Sequence, residues 1–379
     1  KVFMENKENN RILAQGKYIN NNTWETGLNN NDLIIGVSGA GKTRSYVIPN
    51  ILESNDSMIV VDTKNQLCKK LGPDLKKKGY DVVNLNFDNM RDSPVGYNPL
   101  LHIEKEKVIK NGKQVERYRG QDIEMLAQSL CPVECGKDPF WDHAAAMQVS
   151  SLISYVLEAL PEREHHLGKV AKLQQLLGTE TLDLLMQEWE MIHPESFAVK
   201  KWHLFKDTKA ADKTNASSAF ILGEKLSSFY SPECEQFFTN KRQVSFWEMG
   251  YRKIALFINV SDSNRSCDRL LNLLYVQALH ELCQLADYEE DGRLEVPVRF
   301  IMDDFASNAV IPDFDKIISV IRSREIYVSL ILQSITQLDS MYGEKCAKTI
   351  INNCDSCLYL GGQDVDTARY ISIKANKTA

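Results

Sequence analysis

No apolar run in this 379-residue chain reaches the roughly 18 residues that a membrane-spanning helix needs, and no basic-then-apolar leader stands at its start. The chain itself is therefore expected to be soluble. Excess positive charge is missing as well. The formal net charge is -6 and the isoelectric point about 5.8, which excludes a surface that collects polyanions over its whole extent. Any such contact must be local. Lys69-Lys70 with Lys76-Lys77-Lys78, and Lys200-Lys201 with Lys206, Lys209 and Lys213, are candidates, set against the plainer reading of solvated helix faces. Cysteine offers no framework either. The nine cysteines are scattered and odd in number, which suggests a reducing compartment without disulfides. Cys354-Asp355-Ser356-Cys357 lacks a second pair and leads into Leu358-Tyr359-Leu360, so it reads as packing rather than metal or redox chemistry. No internal repeat appears, and no low-complexity tract beyond an Asn-rich start. The beginning at Lys1 and the helix still running near Lys377 suggest a chain cut at both ends.

What is present describes an ordinary globular protein of about two domains, with 43% hydrophobic and 25% charged residues. One motif dominates. Gly36-Val37-Ser38-Gly39-Ala40-Gly41-Lys42-Thr43 fits the phosphate-loop pattern, preceded by the apolar run Leu33-Ile34-Ile35 and opening through Arg44 into a helix. Its glycines let backbone N–H groups turn towards phosphate oxygens. Lys42 would reach the β- and γ-phosphates of ATP, and the Thr43 hydroxyl would hold Mg²⁺. Residues 1–30 read as an extended lead-in or short hairpin. Strands are expected over 57–62, 80–87, 253–260, 298–302, 326–332 and 356–360, with helices over 63–79, 268–287 and 313–323 between them. That alternation predicts a mostly parallel sheet. Between 120 and 238 the pattern turns helical, with amphipathic stretches over 144–160, 174–189 and 216–229. The expected division is a nucleotide-binding domain over 1–119 and 239–379, interrupted by an all-alpha domain over 120–238.

A second half of the site lies far along the chain. Arg299-Phe300-Ile301-Met302-Asp303-Asp304 is an apolar strand ending in two carboxylates, the form of a Walker B segment. Asp303 would bind Mg²⁺ and Asp304 would orient or deprotonate the attacking water; two solvated acids at a strand end are the bland alternative. Gln333, after the strand 326–332, could sense the γ-phosphate. Arg322, with Arg324 second, could serve as an arginine donated across a subunit boundary. Charge complementarity at a helix C-terminus accounts for either arginine equally well. Trp141 and His143 read as buried aromatic anchors rather than ligands.

These segments together resemble the type IV coupling proteins, the ring ATPases of conjugative and other type IV secretion systems. The likeness rests on the phosphate loop with Val47-Ile48-Pro49-Asn50, on Val60-Val61-Asp62-Thr63-Lys64, on Gly96-Tyr97-Asn98-Pro99, and on Asp138-Pro139-Phe140-Trp141-Asp142-His143. It continues through Asp303-Asp304-Phe305-Ala306, Ile321-Arg322-Ser323-Arg324-Glu325, Gln333-Ser334 and Leu360-Gly361-Gly362-Gln363-Asp364. The resemblance implies a RecA-like domain interrupted by an all-alpha domain, assembled as a hexamer at the cytoplasmic face of a bacterial cell membrane. It implies translocation of relaxase-bound single-stranded DNA towards other secretion components. Lys42, Asp303, Arg322 and Gln333 fall on that family's nucleotide-site positions. Two departures stand out. The family commonly has Glu where this chain has Asp304, which leaves slow hydrolysis open, and its members carry an N-terminal membrane anchor, read here as cut away, which leaves room for a monomeric piece. Two other functions stay open: a nucleotide-gated docking module with little hydrolysis, and a related hexameric ATPase that pumps chromosomal or viral DNA.

Overall fold

The computed structural model describes residues 9–110, 112–133, 139–207, 212–261, 265–305 and 310–377. Asp138, Lys209 and Ala306, named above, lie outside the described residues. The strands in chain order are β1 (Asn10–Ala14), β2 (Lys17–Asn20), β3 (Asp32–Ile35), β4 (Ser57–Asp62), β5 (Asp81–Asn86), β6 (Lys105–Lys110), β7 (Lys113–Tyr118), β8 (Ile254–Asn259), β9 (Val298–Met302), β10 (Ile326–Leu332) and β11 (Ser356–Tyr359). Seven of them form one sheet in the order β11-β3-β10-β9-β4-β8-β5, and every neighbouring pair is parallel. The five inner strands are buried throughout, while the edge strands β5 and β11 are partly exposed. Continuous apolar runs such as Ile254-Ala255-Leu256-Phe257-Ile258 suit strands covered on both faces. The whole is a RecA-like α/β phosphate-loop fold.

Two compact units divide the described chain. One comprises Lys1–Asp88, Ser245–Arg265 and Ala278–Ala379; the other comprises Asn89–Val244 and Ser266–Gln277. The limits read from sequence stood at 119/120 and 238/239, whereas the units divide at 88/89 and 244/245. The first difference arises because 89–119 packs with the helices that follow it. Glu104 N donates to the buried Asp122 carboxylate at 3.0 Å and Asn98 Nδ2 to His165 O at 2.7 Å. That stretch also contains the antiparallel ribbon β6–β7, which the sequence reading did not anticipate.

Several helices differ from expectation for identifiable reasons. The stretch 174–189 is two helices, Leu167–Gln174 and Glu180–Ile192, because Gly178 takes φ +81° and breaks the run. The helix expected from residue 63 begins at Leu67. Asp62 explains the delay: its carboxylate accepts from the N–H groups of Gln66, Leu67 and Cys68 at 3.1, 2.7 and 3.2 Å, so it caps the helix from across a turn.

The Asn-rich start is built into the fold. β1 and β2 form an antiparallel hairpin, and Asn31 serves the sheet by accepting from Val328 N at 3.0 Å and donating to Asn353 O at 3.1 Å. His143 corrects the reading given above, because it is exposed. Its neighbour Asp142 is the buried group, ion-paired with Lys225 at 2.5 Å, while Trp141 is half-buried edge-on to Phe140. The first lysine group lies on exposed positions of the helix Leu67–Lys77 and just beyond it. Lys200, Lys201 and Lys206 pair with Glu195, Glu124 and Asp183. Cys354 is buried and Cys357 half-buried, and burial raises both thiols above their ordinary range.

Candidate functional site

Because all seven strands run the same way, their C-terminal ends share one edge, where ligands gather in open parallel sheets. The phosphate loop leaves β3 there. Its base is tied to both neighbouring strands: Gly36 N donates to Leu332 O at 3.1 Å, and Val37 N donates to Gly361 O at 3.4 Å. At Gly36 a side chain would meet Ala40 Cβ and Leu360 Cβ at 3.1 Å. Gly39 and Gly41 take φ +80° and +87°, which only glycine adopts freely. Val37, Ser38 and Gly39 are exposed, so the loop crest faces outwards.

Lys42 is buried and folds over its own loop. Its Nζ donates to Gly36 O at 2.6 Å and Val37 O at 3.3 Å. The chain then enters a wide turn, Thr43–Val47, in which Ile48 N bonds to Thr43 O. Pro49 gives the reason, since it has no N–H to offer Ser45 O and its ring crowds that carbonyl, which favours the wider turn. Arg44 is exposed. Behind the loop, Tyr46 OH donates to Asp32 Oδ2 at 2.5 Å. Arg11 and Arg299 converge on the same carboxylate at 2.9 and 3.4 Å. This buried network ties the start of the loop helix to β3, β9 and the first hairpin. Arg11 gave no recognisable signal in sequence.

Asp303 follows β9, two strands from β3, and Thr43 Oγ1 lies 3.5 Å from its Oδ2. Residues 260 positions apart are thus brought together. Burial pushes the Asp303 carboxyl above its usual range, the adjacent Asp304 charge adds to this, and Lys42 opposes it. A divalent cation would relieve that burial cost, and a hydroxyl plus one carboxylate is the sparse protein ligation that Mg²⁺ takes beside phosphates. Among the described residues no group of three or more His, Cys, Asp or Glu could hold a metal by itself. Asp304 has φ +51°, and its N–H donates to Asp303 Oδ1 at 3.0 Å. Phe305, packed against Phe314 and Tyr342 with ring centroids 5.0 and 5.9 Å away, fixes the chain just beyond the acidic pair.

β10 lies between β3 and β9, so Gln333 emerges between the loop and the acidic pair. Its N–H donates to Gln337 Oε1 at 3.2 Å. Arg322 is elsewhere. It stands in the short helix Ile321–Arg324 before β10, at the opposite edge of the sheet, about 20 Å away for seven strand residues. It is exposed and contacts Thr23 O at 3.5 Å. Arg324 is engaged with Asp287 at 2.8 to 3.2 Å.

Comparison with known proteins gives a consistent result. The sequence profile described as type IV secretory system conjugative DNA transfer matches residues 3–378. Protein VirD4 of Rhizobium radiobacter is 22% identical over 360 residues, covering 94% of this chain and 49% of its own length. Protein VirD4 of Agrobacterium fabrum is 21% identical, covering 94% and 50%. The chain thus spans about half the length of these relatives. Among solved structures, the unbound conjugative coupling protein TrwBdeltaN70 superposes with a TM-score of 0.69 at 18% identity, covering 97% of this chain and 76% of that one. TrwB in complex with ADP and Mg²⁺ gives 0.69 at 18% identity, covering 98% and 79%. TrwB with the ATP analogue ADPNP gives 0.65 at 19%, covering 92% and 75%.

Proposed function

The chain belongs to the type IV secretory system conjugative DNA transfer family, and from that premise we propose that it is the nucleotide-hydrolysing part of a coupling protein, which recruits relaxase-bound single-stranded DNA and drives it towards the export channel. The observation that carries this reading is the approach of Thr43 to Asp303 beneath a glycine-rich turn holding Lys42. The TrwB complexes with ADP, Mg²⁺ and ADPNP support the same cofactors here. Bound with Mg²⁺, ATP supplies the phosphoryl bond whose hydrolysis releases the free energy for transport.

The roles follow from the chemistry of each side chain. The loop of residues 36–44 binds phosphate oxygens through N–H groups other than those of Gly36 and Val37, which tie its base to the neighbouring strands, and Lys42 exchanges its two carbonyl partners for phosphate. Thr43 and Asp303 hold the metal. Asp304 orients water and takes its proton, and Gln333 holds that water in line. Arg322, at the opposite sheet edge of its own chain, serves the site of a neighbouring subunit in a hexameric ring at the cytoplasmic face of the membrane. Arg324 is the weaker candidate because Asp287 already occupies it.

A second reading, a nucleotide-gated docking module with little turnover, is favoured by one observation. Asp304 is a short carboxylate on a left-handed backbone. Steady-state ATP hydrolysis with and without single-stranded DNA decides between them, with Lys42→Ala as the control. We expect turnover that DNA stimulates and that Lys42→Ala lowers by at least a hundredfold; ATP binding without turnover would favour the gated module.

A further inference from the structure

The nucleotide site occupies one edge of the sheet, and the opposite edge carries a different set of features. A cavity of about 450 Å³ opens there, lined in part by Asn20, Asn22, Thr23 and Glu25 and by Pro297 and Glu325, which immediately precede β9 and β10. The four-residue helix Thr23–Thr26 forms one of its walls and is held at both ends. Asn22 Oδ1 accepts from Trp24 N at 3.1 Å, and Gly27, at φ +70°, donates its N–H to Thr23 O at 3.0 Å. The Glu25 carboxylate accepts from Nδ2 of Asn20 and of Asn22, each at 2.8 Å. Held in this way, the helix presents Trp24, which is 75% exposed. The Arg293 guanidinium lies over its ring, 4.2 Å from the centroid, and pairs with Glu325 at 3.0 Å. One face of the indole is therefore backed by a cation and the other is open.

An indole left so exposed adds little burial to the fold of its own chain, whereas a rigid Trp beside Arg is the commonest kind of anchor between proteins. Arg322 is part of the same surface: its Nη2 lies 3.5 Å from Thr23 O, and Val320, two residues before it, is 49% exposed. Charge marks the place as well. Glu325 is met by Arg293 and by the Tyr327 hydroxyl, but Glu25 is bonded to amides and makes no ion pair among the described residues. At the phosphate-loop edge the opposite holds. Arg44 is exposed there and makes no ion pair among the described residues, and Val37 and Val365 are 42% and 68% exposed. Each edge thus carries exposed apolar side chains and one unmatched charge, negative at the first and positive at the second. A single chain keeps the two edges apart, and two copies meeting head to tail bring them together.

We infer that this edge seats the phosphate-loop face of a second copy of the chain, Trp24 packing against Val37 and Val365 of the partner subunit and Glu25 pairing with Arg44 of the partner subunit at the mouth of the cavity. The inference rests on the action of Arg322 across a subunit boundary proposed above, and names what aligns that arginine. A guanidinium suits the cavity, because it is weakly hydrated and its planar fork of donors matches a carboxylate. The helix Thr23–Thr26 and the Arg293 side chain are already ordered in the single chain, so little freedom is lost on contact. Trp24 follows the residue whose carbonyl Arg322 touches, so seating the indole also fixes where the guanidinium meets the neighbouring triphosphate. Trp24 and Glu25 are positioning residues in this account.

The test is sedimentation velocity of the parent chain and its variants, with an oligodeoxythymidine present and ATP saturating for each variant. Trp24→Ala should raise the dissociation constant between subunits about tenfold or more and Trp24→Phe by less, with the ATP affinity of the separated chains unchanged. Glu25→Gln and Arg44→Gln should each weaken assembly roughly threefold, and both together no more than either alone, because they remove one pair. Assembly of Trp24→Ala at the parent's concentration would overturn the inference, and so would losses that add for Glu25→Gln and Arg44→Gln. In either case the proposed function stands where Arg322→Ala assembles and loses hydrolysis. Parent chains that bind ATP and never associate would overturn the inference and the role of Arg322 in a neighbouring site together. Trp24→Ala that assembles as the parent does and loses DNA binding would assign the surface to DNA and overturn the inference as well.

Discussion

At the scale of single residues, the acidic pair shows how backbone geometry selects a side chain. Asp304 sits at φ +51°, a region that Asp and Asn tolerate several times better than other non-glycine residues. The shorter carboxylate thus suits the conformation it occupies. Asp303 carries the electrostatic cost of the site, its carboxyl raised by burial and by Asp304. A raised native value means that the folded chain binds this proton more tightly than the unfolded one. The stability it contributes is full below the unfolded value near pH 4 and is lost as pH rises through the native value. Asp303→Asn, which stays neutral, should therefore unfold at higher denaturant than the parent at pH 8 in EDTA, with the gap closing as pH falls towards 4. Urea midpoints of the two proteins from pH 4 to 8 measure it. A gap that does not change with pH would remove the buried-charge account.

At the scale of elements, Asp62 and Pro49 decide how helices leave the sheet. Asp62 holds three N–H groups of the following helix and stands on the same sheet edge as the nucleotide site. Its work is nevertheless structural. Asp62→Ala should cost about 2 kcal/mol, at the upper end for a helix cap because three donors lose one acceptor, and should leave ATP affinity within about twofold once folded. A urea midpoint with ATP titration checks both parts; a large loss of affinity at unchanged stability would move Asp62 into the binding machinery. Pro49 widens the first turn after Thr43 and leaves Tyr46 directed at Asp32, so the loop helix is anchored from behind by a buried hydroxyl.

At the scale of the whole molecule, the separation of Arg322 from Lys42 and Asp303 across the sheet bears on assembly. One chain cannot bring both ends of a parallel strand to one phosphate, so a catalytic role for Arg322 requires a neighbour. Arg322→Ala should bind ATP as the parent does and lose hydrolysis. Mixing it with Lys42→Ala should restore part of the turnover, since some interfaces then join an intact loop to an intact arginine. Turnover by a verified monomer that falls on Arg322→Ala would place the residue's action within one chain. Arg324→Ala should instead lower stability by no more than about 1 kcal/mol through loss of the pair with the exposed Asp287, and thermal unfolding reads that difference.

The phosphate loop, the parallel strands and the acidic strand end were legible because their signals are local. Glycine at left-handed positions, unbroken apolar runs and a carboxylate after a strand each follow from a few consecutive residues. The family resemblance carried the same local motifs across the whole chain. Everything that depended on distant partners was not legible. Arg11 meets Asp32 and Arg299 only because a hairpin folds back on the sheet, Asp62 is a cap rather than a ligand only because the chain turns before the next helix, and Arg322 lies far from Gln333 only because a seven-residue strand stands between them. Local sequence sets which conformations each segment can adopt, whereas buried charges and hydrogen-bond partners are chosen by packing, and packing exists only once the chain has closed on itself.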